Sequence, residues 1–190
     1  RGNRYILVIV DHFSRYCVAV LIQTQTAESV ADAFFQNWVM RFGCPMRVHT
    51  DQGANFESSL FAELCQRCHI AKSRTLAYHP QSNGACERLN RTLLHLLETS
   101  VYECPGDWDL FLPEVCFAYN TTPHRATQRS PYSVLFGEEA RLPCEFLVGT
   151  PSEAEPVNEY VAKLIQRVAS ISEASRVAAN AAQRTAKDYY

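Results

Sequence analysis

Three carboxylates in this chain have the type and placement needed to bind metal ions for phosphoryl transfer. Asp11 ends an apolar, β-branched run at 5–10 (YILVIV). Asp51 follows a short strand-like stretch, and thirty-five residues separate it from Glu87. Hard divalent cations take oxygen ligands, so carboxylates that converge through the fold would hold Mg²⁺ or Mn²⁺. Two such ions about 4 Å apart can clamp the attacking and leaving oxygens of a phosphodiester.

The elements around these residues determine whether the three carboxylates can meet. Asp11 and Asp51 each close a strand, and we expect the two strands to lie side by side in a sheet. Ligands of open α/β sheets bind beyond the carboxyl ends of the strands, where both aspartates stand. Glu87 lies on the polar face of a helix predicted from 84 to about 103. The opposite face of that helix carries Leu89, Leu93 and Leu96.

Each carboxylate also has an ordinary structural interpretation. Asp is a favoured turn residue, which would account for Asp11 and for Asp51. A carboxylate in the first turn of a helix complements the helix dipole, which would account for Glu87. The joint placement of all three at neighbouring element ends favours a common site.

Hydrophobic periodicity along the rest of the chain predicts a mixed α/β domain. Residues 5–10 and 16–22 should form an antiparallel hairpin, followed at 23–26 by either a short edge strand or a loop. A helix predicted at 27–42 should stop at Gly43 and Pro45. Further predicted elements are a strand at 46–49, a helix at about 57–68, a strand at 70–76, a helix near 107–119 and a short helix at about 131–136.

The composition changes after Gly149. Residues 151–156 (PSEAEP) are typical of a linker, and residues 157–190 contain no Gly or Pro and are rich in Ala. Apolar residues follow a 4-3 spacing in this last segment, which predicts an amphipathic helix. Such a helix needs a partner, either this domain or another chain, and packing on the domain is favoured. We therefore expect one domain at 1–150, and a linker with a long helix at 151–190.

The overall charge limits how the chain could hold nucleic acid. It has 190 residues, a net charge of −2 and a pI of about 6.3, which argues against binding by bulk electrostatics alone. Polar and basic side chains cluster locally instead, on one strand face, in a loop and beside Glu87. The competing interpretation is a solvated surface, or for His79 an ordinary loop residue. The candidate contacts to a phosphodiester substrate are Lys72, Arg74, Tyr78, His79, Gln81, Asn83, Asn90 and Arg91.

Eight cysteines are scattered along the chain, which is large for a disulfide scaffold. We interpret them as reduced, mostly buried thiols in a reducing compartment. The substring at 65–69 (CQRCH) matches the c-type haem attachment pattern, but it lies in a predicted helix, so buried thiols are the favoured interpretation. With no run of about 18 apolar residues, we expect no membrane span. The chain has no signal-peptide architecture and no initiator Met, so we expect it to be a piece of a longer protein.

Five stretches of the sequence together resemble the catalytic core of retroviral-type integrases, and specifically that of gypsy-type LTR retrotransposons. The resemblance covers residues 5 to about 149, and the order and spacing agree throughout. The segment at 151–190 is similar to the helical segment that follows the core in these elements. The five stretches are 9–16 (IVDHFSRY), 41–45 (RFGCP), 49–56 (HTDQGANF), 78–92 (YHPQSNGACERLNRT) and 130–137 (SPYSVLFG).

This resemblance implies an α/β, RNase H-like fold, with a five-stranded mixed sheet flanked by helices and a C-terminal helical extension. It implies that Asp11, Asp51 and Glu87 form the catalytic, metal-binding triad for two Mg²⁺ or Mn²⁺ ions. It also implies DNA as the partner, both element ends and target DNA, together with a homo-oligomer. The location implied is intracellular, in the nucleus and the cytoplasm.

The activity that the resemblance implies is DNA integration by a polynucleotidyl transferase. Water attacks near the 3′ end of the element DNA, and the exposed 3′-hydroxyl then attacks a phosphodiester of target DNA. Three alternatives remain open: a hydrolytic nuclease on the same fold, a host-domesticated relative, and a non-catalytic DNA- or protein-binding domain that keeps the fold. The intact acidic triad favours catalysis among them.

Overall fold

The computed structural model describes residues 1–75, 84–101, 105–142 and 157–188. The chain divides into two compact units, one formed by Arg1–Val10 with Cys17–Cys116 and the other by Asp11–Tyr16 with Phe117–Tyr190. No helix among the described residues is both long and apolar enough to cross a bilayer.

The first unit begins with the predicted antiparallel hairpin. Strand β1 (Tyr5–Val10) pairs with β2 (Cys17–Ile22) in a continuous antiparallel register. Residues 23–26 form no strand, so the loop is the correct one of the two alternatives. Thr26 ends this loop as the N-cap of the next helix, because its hydroxyl accepts a hydrogen bond from the Ser29 amide at 3.2 Å.

The helix predicted at 27–42 is present, but its winding changes partway. A π turn contains one residue more than an α turn. The next buried residue after Phe34 in this segment is therefore Val39, five positions later, where an α-helix would place it three or four positions later. Phe42 is partly exposed and packs its ring against Trp38, with the ring centroids 5.0 Å apart. Gly43 follows the last helical residue with a φ of 85°, as predicted for the stop. The bounds are α1 at Ala27–Phe34, a π-helical segment at Phe35–Val39 and α2 at Met40–Phe42.

A second pair of strands, parallel to each other, follows this helix. Strand β3 (Arg47–Thr50) pairs with β4 (Ala71–Arg74), and helix α3 (Ser59–Arg67) forms the crossover between them. The Ser58 hydroxyl caps α3 by accepting a hydrogen bond from the Phe61 amide at 3.2 Å. The hydrophobic core of this unit lies between α1, α3 and the strands, and its largest members are Leu7, Ile22, Val30, Phe34, Phe61 and Ile70.

Helix α4 (Gly84–Ser100) packs on β1 through a stripe of leucines. The opposite face, which carries Glu87, is exposed, so the predicted division of the helix into two faces is confirmed. The buried stripe is centred one position later than expected, since Leu96 is only half-buried. Its buried members are Leu89, Leu93 and Leu97.

Helix α5 (Trp108–Thr121) follows a 3₁₀ turn at Pro105–Asp107. Asp109 in its first turn is buried and binds the start of the chain. Its carboxylate accepts hydrogen bonds from Arg1 Nη1 at 2.6 Å and from Asn3 Nδ2 at 2.8 Å. These two bonds and the Arg1 charge account for a lowered Asp109 pKa, against the opposing effect of desolvation.

The α/β layering is confirmed, but the size of the sheet is not. In the part of the chain that the structure describes, β1 with β2 and β3 with β4 form two separate two-stranded sheets. Among the residues that the structure describes, the β3–β4 ladder has four residues per strand and β1 pairs only with β2. The five-stranded mixed sheet, with β1 and β3 side by side, therefore stays a prediction.

In the second unit, a long helix packs on a short one through a glycine. Helix α6 (Pro131–Phe136) ends at Gly137, which has a φ of 80°. A β-carbon on Gly137 would overlap Val168 of α7 (Val157–Asp188). Of the two partners considered for the amphipathic helix, the structure therefore provides one within the same chain. The half-buried residues of the predicted stripe are Leu164, Val168 and Ile171.

Candidate functional site

Asp51 stands at the carboxyl end of β3, at the head of a tight loop. Because β3 and β4 are parallel, with Thr50 opposite Arg74, both strands end at the same edge. The Asp51 carboxylate is exposed, and its Oδ1 accepts a hydrogen bond from the Gly53 amide at 2.9 Å. A β-carbon on Gly53 would stand 2.9 Å from the same oxygen, so a side chain at position 53 would displace the carboxylate from this position.

Glu87 lies in the first turn of α4 with its side chain exposed, as predicted. The preceding residue, Cys86, is partly buried, and the pKa of its thiol responds to the charges nearby. Burial raises the pKa of the Cys86 thiol, and the negative charges of Asp51 and then Glu87 raise it further. The structure therefore brings two of the three predicted carboxylates, Asp51 and Glu87, into the electrostatic environment of one thiol.

Asp11 belongs to the second unit, where it holds the turn that follows β1. Its Oδ2 accepts two hydrogen bonds from Ser14, from the amide and from the hydroxyl, both at 2.7 Å. Ser14 is buried, and Arg15 adopts a left-handed φ of 67° as the turn closes. The turn interpretation of Asp11 is thus realised. Both hydrogen bonds end on Oδ2, so the other carboxylate oxygen, Oδ1, is still available to bind a metal ion.

The donors at these positions have the chemistry of a site for hard cations. Asp51 and Glu87 offer exposed carboxylate oxygens, which Mg²⁺ and Mn²⁺ prefer over thiols. Within the described ranges, no three His, Cys, Asp or Glu side chains are arranged to hold a metal ion.

The basic pair predicted on β4 is found on one face, but it is not unpaired. Glu57 bridges the two cations: its Oε1 lies 2.6 Å from Lys72 Nζ and its Oε2 lies 2.9 Å from Arg74 Nη1. The hydrogen bonds from Lys72 and Arg74 lower the pKa of Glu57. The sequence interpretation missed Glu57. No local pattern signalled this role, because Glu57 lies 15 and 17 residues from the two cations that it binds.

The other predicted nucleic-acid contacts divide into two groups. Asn90 and Arg91 are exposed on α4, one helical turn after Glu87 and on the same face. Four candidates lie outside the described residues, so their placement stays a prediction: Tyr78, His79, Gln81 and Asn83.

Side chains that were not predicted connect β3 to β4 beside Asp51. The His49 ring lies 3.1 Å from Ser73 Oγ through Nδ1 and 3.3 Å from Thr75 Oγ1 through Nε2. Gln52 Nε2 donates to the Thr75 carbonyl at 2.9 Å. Cross-strand contacts depend on register, so the sequence alone offered no signal for them.

The cysteines of the described segments form no disulfide, and the thiols of Cys17 and Cys116 interact with each other. A hydrogen bond between the thiols raises the pKa of Cys17 and lowers that of Cys116, as expected if Cys17 is the donor. In the CQRCH substring, Cys65 is buried in the core and burial raises its pKa, which fits the structural interpretation of that residue.

The α/β layering is that of an RNase H-like fold. A protein-family model described as "Integrase core domain" matches residues 1–80. The Pol polyprotein from transposon 412 of Drosophila melanogaster, described as retrovirus-related, is 31% identical over 146 residues. That match covers 76% of this chain, whereas the chain spans only 12% of the length of the polyprotein.

Solved structures give the same result. The HTLV-2 integrase catalytic core domain, solved with magnesium in a trimeric form, superposes with a TM-score of 0.58 at 25% identity. The match covers 67% of this chain and 82% of that one. The simian T-cell lymphotropic virus intasome, solved in complex with PP2A regulatory subunit B56 gamma, gives a TM-score of 0.62 at 25% identity, covering 79% of this chain and 51% of that one. The chain belongs to the family of retroviral and retrotransposon integrase core domains.

Proposed function

We propose that this chain catalyses DNA integration by metal-dependent phosphoryl transfer. Water would cleave near the 3′ end of element DNA, and the resulting 3′-hydroxyl would attack target DNA. The observation that carries the proposal is the exposed Asp51 carboxylate at the carboxyl end of β3, held by the Gly53 amide at 2.9 Å, together with the exposed Glu87 in the first turn of α4. Two exposed carboxylates at a strand end and a helix start are suited to share a cation rather than to stabilise the fold.

In this proposal Asp11, Asp51 and Glu87 hold two Mg²⁺ or Mn²⁺ ions. When bound, such ions activate the nucleophile and stabilise charge on the leaving oxygen. The protein groups orient the ligands: the Gly53 amide holds Asp51, and Ser14 holds Asp11.

The proposed partners are the element ends, target DNA and further copies of the chain. The neighbours described above were solved as a trimeric core and as an intasome, which supports self-association and DNA as the substrate. A catalytic core at 1–150, a helical extension at 151–190 and a location in the nucleus and cytoplasm are parts of the same proposal.

A strand-transfer assay on the full-length protein with Mg²⁺ or Mn²⁺ tests this function. Wild type should join an element-end duplex to target DNA, and chelation should abolish the reaction. Asp51→Asn should lose it by orders of magnitude. Asp32→Asn makes the same chemical change on the exposed side of α1 and should keep full activity. If wild type binds DNA but shows no metal-dependent joining or nicking, the domain is a binding module and the proposal fails.

A further inference from the structure

Glu57 closes the loop that carries Asp51. The amides of Phe56 and Glu57 both donate to the Gly53 carbonyl, at 2.9 and 3.1 Å. The loop is therefore a compact turn, with Asp51 at its start and Glu57 near its end. A displacement of one end is transmitted to the other, because few residues separate them and backbone bonds connect them.

The loop is attached to β4 at both ends. At the Glu57 end, the two carboxylate oxygens bind Lys72 at 2.6 Å and Arg74 at 2.9 Å. At the Asp51 end, the Gln52 side chain donates to the Thr75 carbonyl at 2.9 Å. Charge-assisted hydrogen bonds that are accepted by both oxygens of one carboxylate constrain its position more than a single contact would.

The two cationic side chains bound by Glu57 differ in how far they are exposed to a ligand in solution. The Lys72 side chain is 20% exposed, whereas that of Arg74 is 60% exposed and that of Glu57 is 29% exposed. Arg74 uses one guanidinium nitrogen on Glu57, and a guanidinium has five N–H donors in a fixed fork. Arg74 can therefore bind a phosphate while it stays attached to Glu57, whereas the Lys72 side chain, only 20% exposed, is less accessible to a phosphate.

We propose that Glu57 is a positioning residue, which fixes the Asp51 loop against β4 and holds Arg74 outward as a phosphate contact, with Lys72 as a structural cation. This inference rests on the proposed function, because the phosphate is that of the DNA substrate. Glu57 acts on catalysis through the loop and acts on binding through charge. Its carboxylate also repels phosphate, so it lowers DNA affinity while it supports the reaction rate.

Glu57→Gln in the full-length protein tests the inference, because binding and rate should change in opposite directions. Glu63→Gln is the matched control: it removes the same charge from an exposed ion pair with Arg67 within α3. Duplex affinity is measured against salt without divalent metal, and kcat and KM are measured with Mg²⁺. For Glu57→Gln we expect severalfold tighter binding at low salt and a salt dependence steeper by about one contact, because Lys72 is released. We expect kcat to fall about tenfold or more.

The control variant should match wild type in all of these measurements. Equal kcat and affinity for Glu57→Gln and Glu63→Gln would overturn the proposal. A parallel loss of affinity, kcat and melting temperature would also overturn it, because that pattern describes general destabilisation. If Glu57→Gln does not fold, the single variants Arg74→Ala and Lys72→Ala test the roles assigned to the two cations. Arg74→Ala should reduce the salt dependence by about one contact and Lys72→Ala should not; the reverse order contradicts the assignment.

A separate measurement distinguishes this inference from the proposed function. Hydrogen exchange of residues 52–58 should speed up in Glu57→Gln and not in Glu63→Gln, with or without DNA. Unchanged exchange refutes the attachment of the loop. Accelerated exchange in a protein whose wild type binds no DNA would keep the attachment, but refute the DNA substrate and with it the phosphate contact of Arg74.

Discussion

The Gly53 amide donates to Asp51 Oδ1 at 2.9 Å, and a β-carbon on Gly53 would stand at the same distance from that oxygen. Heavy atoms without a hydrogen bond cannot remain that close, so any side chain at position 53 displaces the carboxylate or the loop. Glycine is thus a condition for the ligand geometry of Asp51.

Gly53→Ala should therefore impair metal-dependent activity more than folding. We expect nicking or strand transfer to fall about tenfold or more, since sub-ångström ligand shifts are costly in catalysis. The melting temperature should stay within a few degrees of wild type, because the loop is at the surface. Nicking rates at several Mn²⁺ concentrations would reveal weakened metal binding. Full activity across the whole series would show that Asp51 tolerates displacement.

Asp51→Asn should make the melting temperature of the protein independent of Mg²⁺. Removing one of two carboxylates near Cys86 relieves repulsion, so the melting temperature without metal should be unchanged or slightly higher. Mg²⁺ should raise the melting temperature of wild type, because a ligand that binds only the folded state stabilises it. The variant should lose this shift. An equal Mg²⁺-induced shift in both proteins would argue against Asp51 as a ligand.

Replacing Lys72 and Arg74 together with alanine tests whether the basic face of β4 binds DNA. The double alanine variant should weaken DNA binding about uniformly across sequences, because phosphate contacts carry little sequence information. Its salt dependence should fall by about one contact, that of Arg74. Titrations with duplexes of different sequence would check both points. An unchanged salt slope would indicate that DNA is held elsewhere.

Cys116 and Cys17 should differ in reactivity despite their contact. The hydrogen bond from Cys17 favours the Cys116 thiolate and lowers its pKa, while the same bond and burial raise the pKa of Cys17. Thiolates are the reactive form, so alkylation of Cys116 should begin at lower pH, with Cys17 protected in the native protein. Peptide mapping after brief iodoacetamide treatment between about pH 6.5 and 8.5 would measure this order. Equal labelling of the two at every pH would contradict it.

Gly137→Ala should destabilise the second unit. The left-handed φ costs an alanine about 1–2 kcal/mol, and its methyl group would also overlap Val168 on α7. Gly106→Ala is the matched control, because a β-carbon there meets no atom within 4 Å. Denaturant unfolding should show a loss for the first variant and little change for the second. Equal stabilities would refute the close contact between Gly137 and α7.

Much of this architecture could be predicted because it depends on local patterns. The continuous apolar, β-branched runs predicted the β1–β2 hairpin, and the leucine spacing predicted the exposed face that carries Glu87. The bridge from Glu57 to Lys72 and Arg74 could not be predicted, since it joins residues 15 and 17 positions apart through tertiary packing. The same holds for the His49 contacts to β4, which depend on strand register. Periodicity at 27–42 also gave no sign that the helix contains a π turn.

That π turn has a consequence for variation in the sequence. Each residue of an α-helix turns the chain by about 100°, so one residue more or less rotates everything that follows. The segment Phe35–Val39 behaves as an absorbed insertion, and removing one residue there should restore uniform α winding. Val39 would then stand four residues after Phe34 on the same buried side, and Met40 and Gly43 would keep their present directions, because the π turn already compensates for the extra residue. A relative with a single-residue deletion in this segment should therefore keep an apolar residue at the position of Val39.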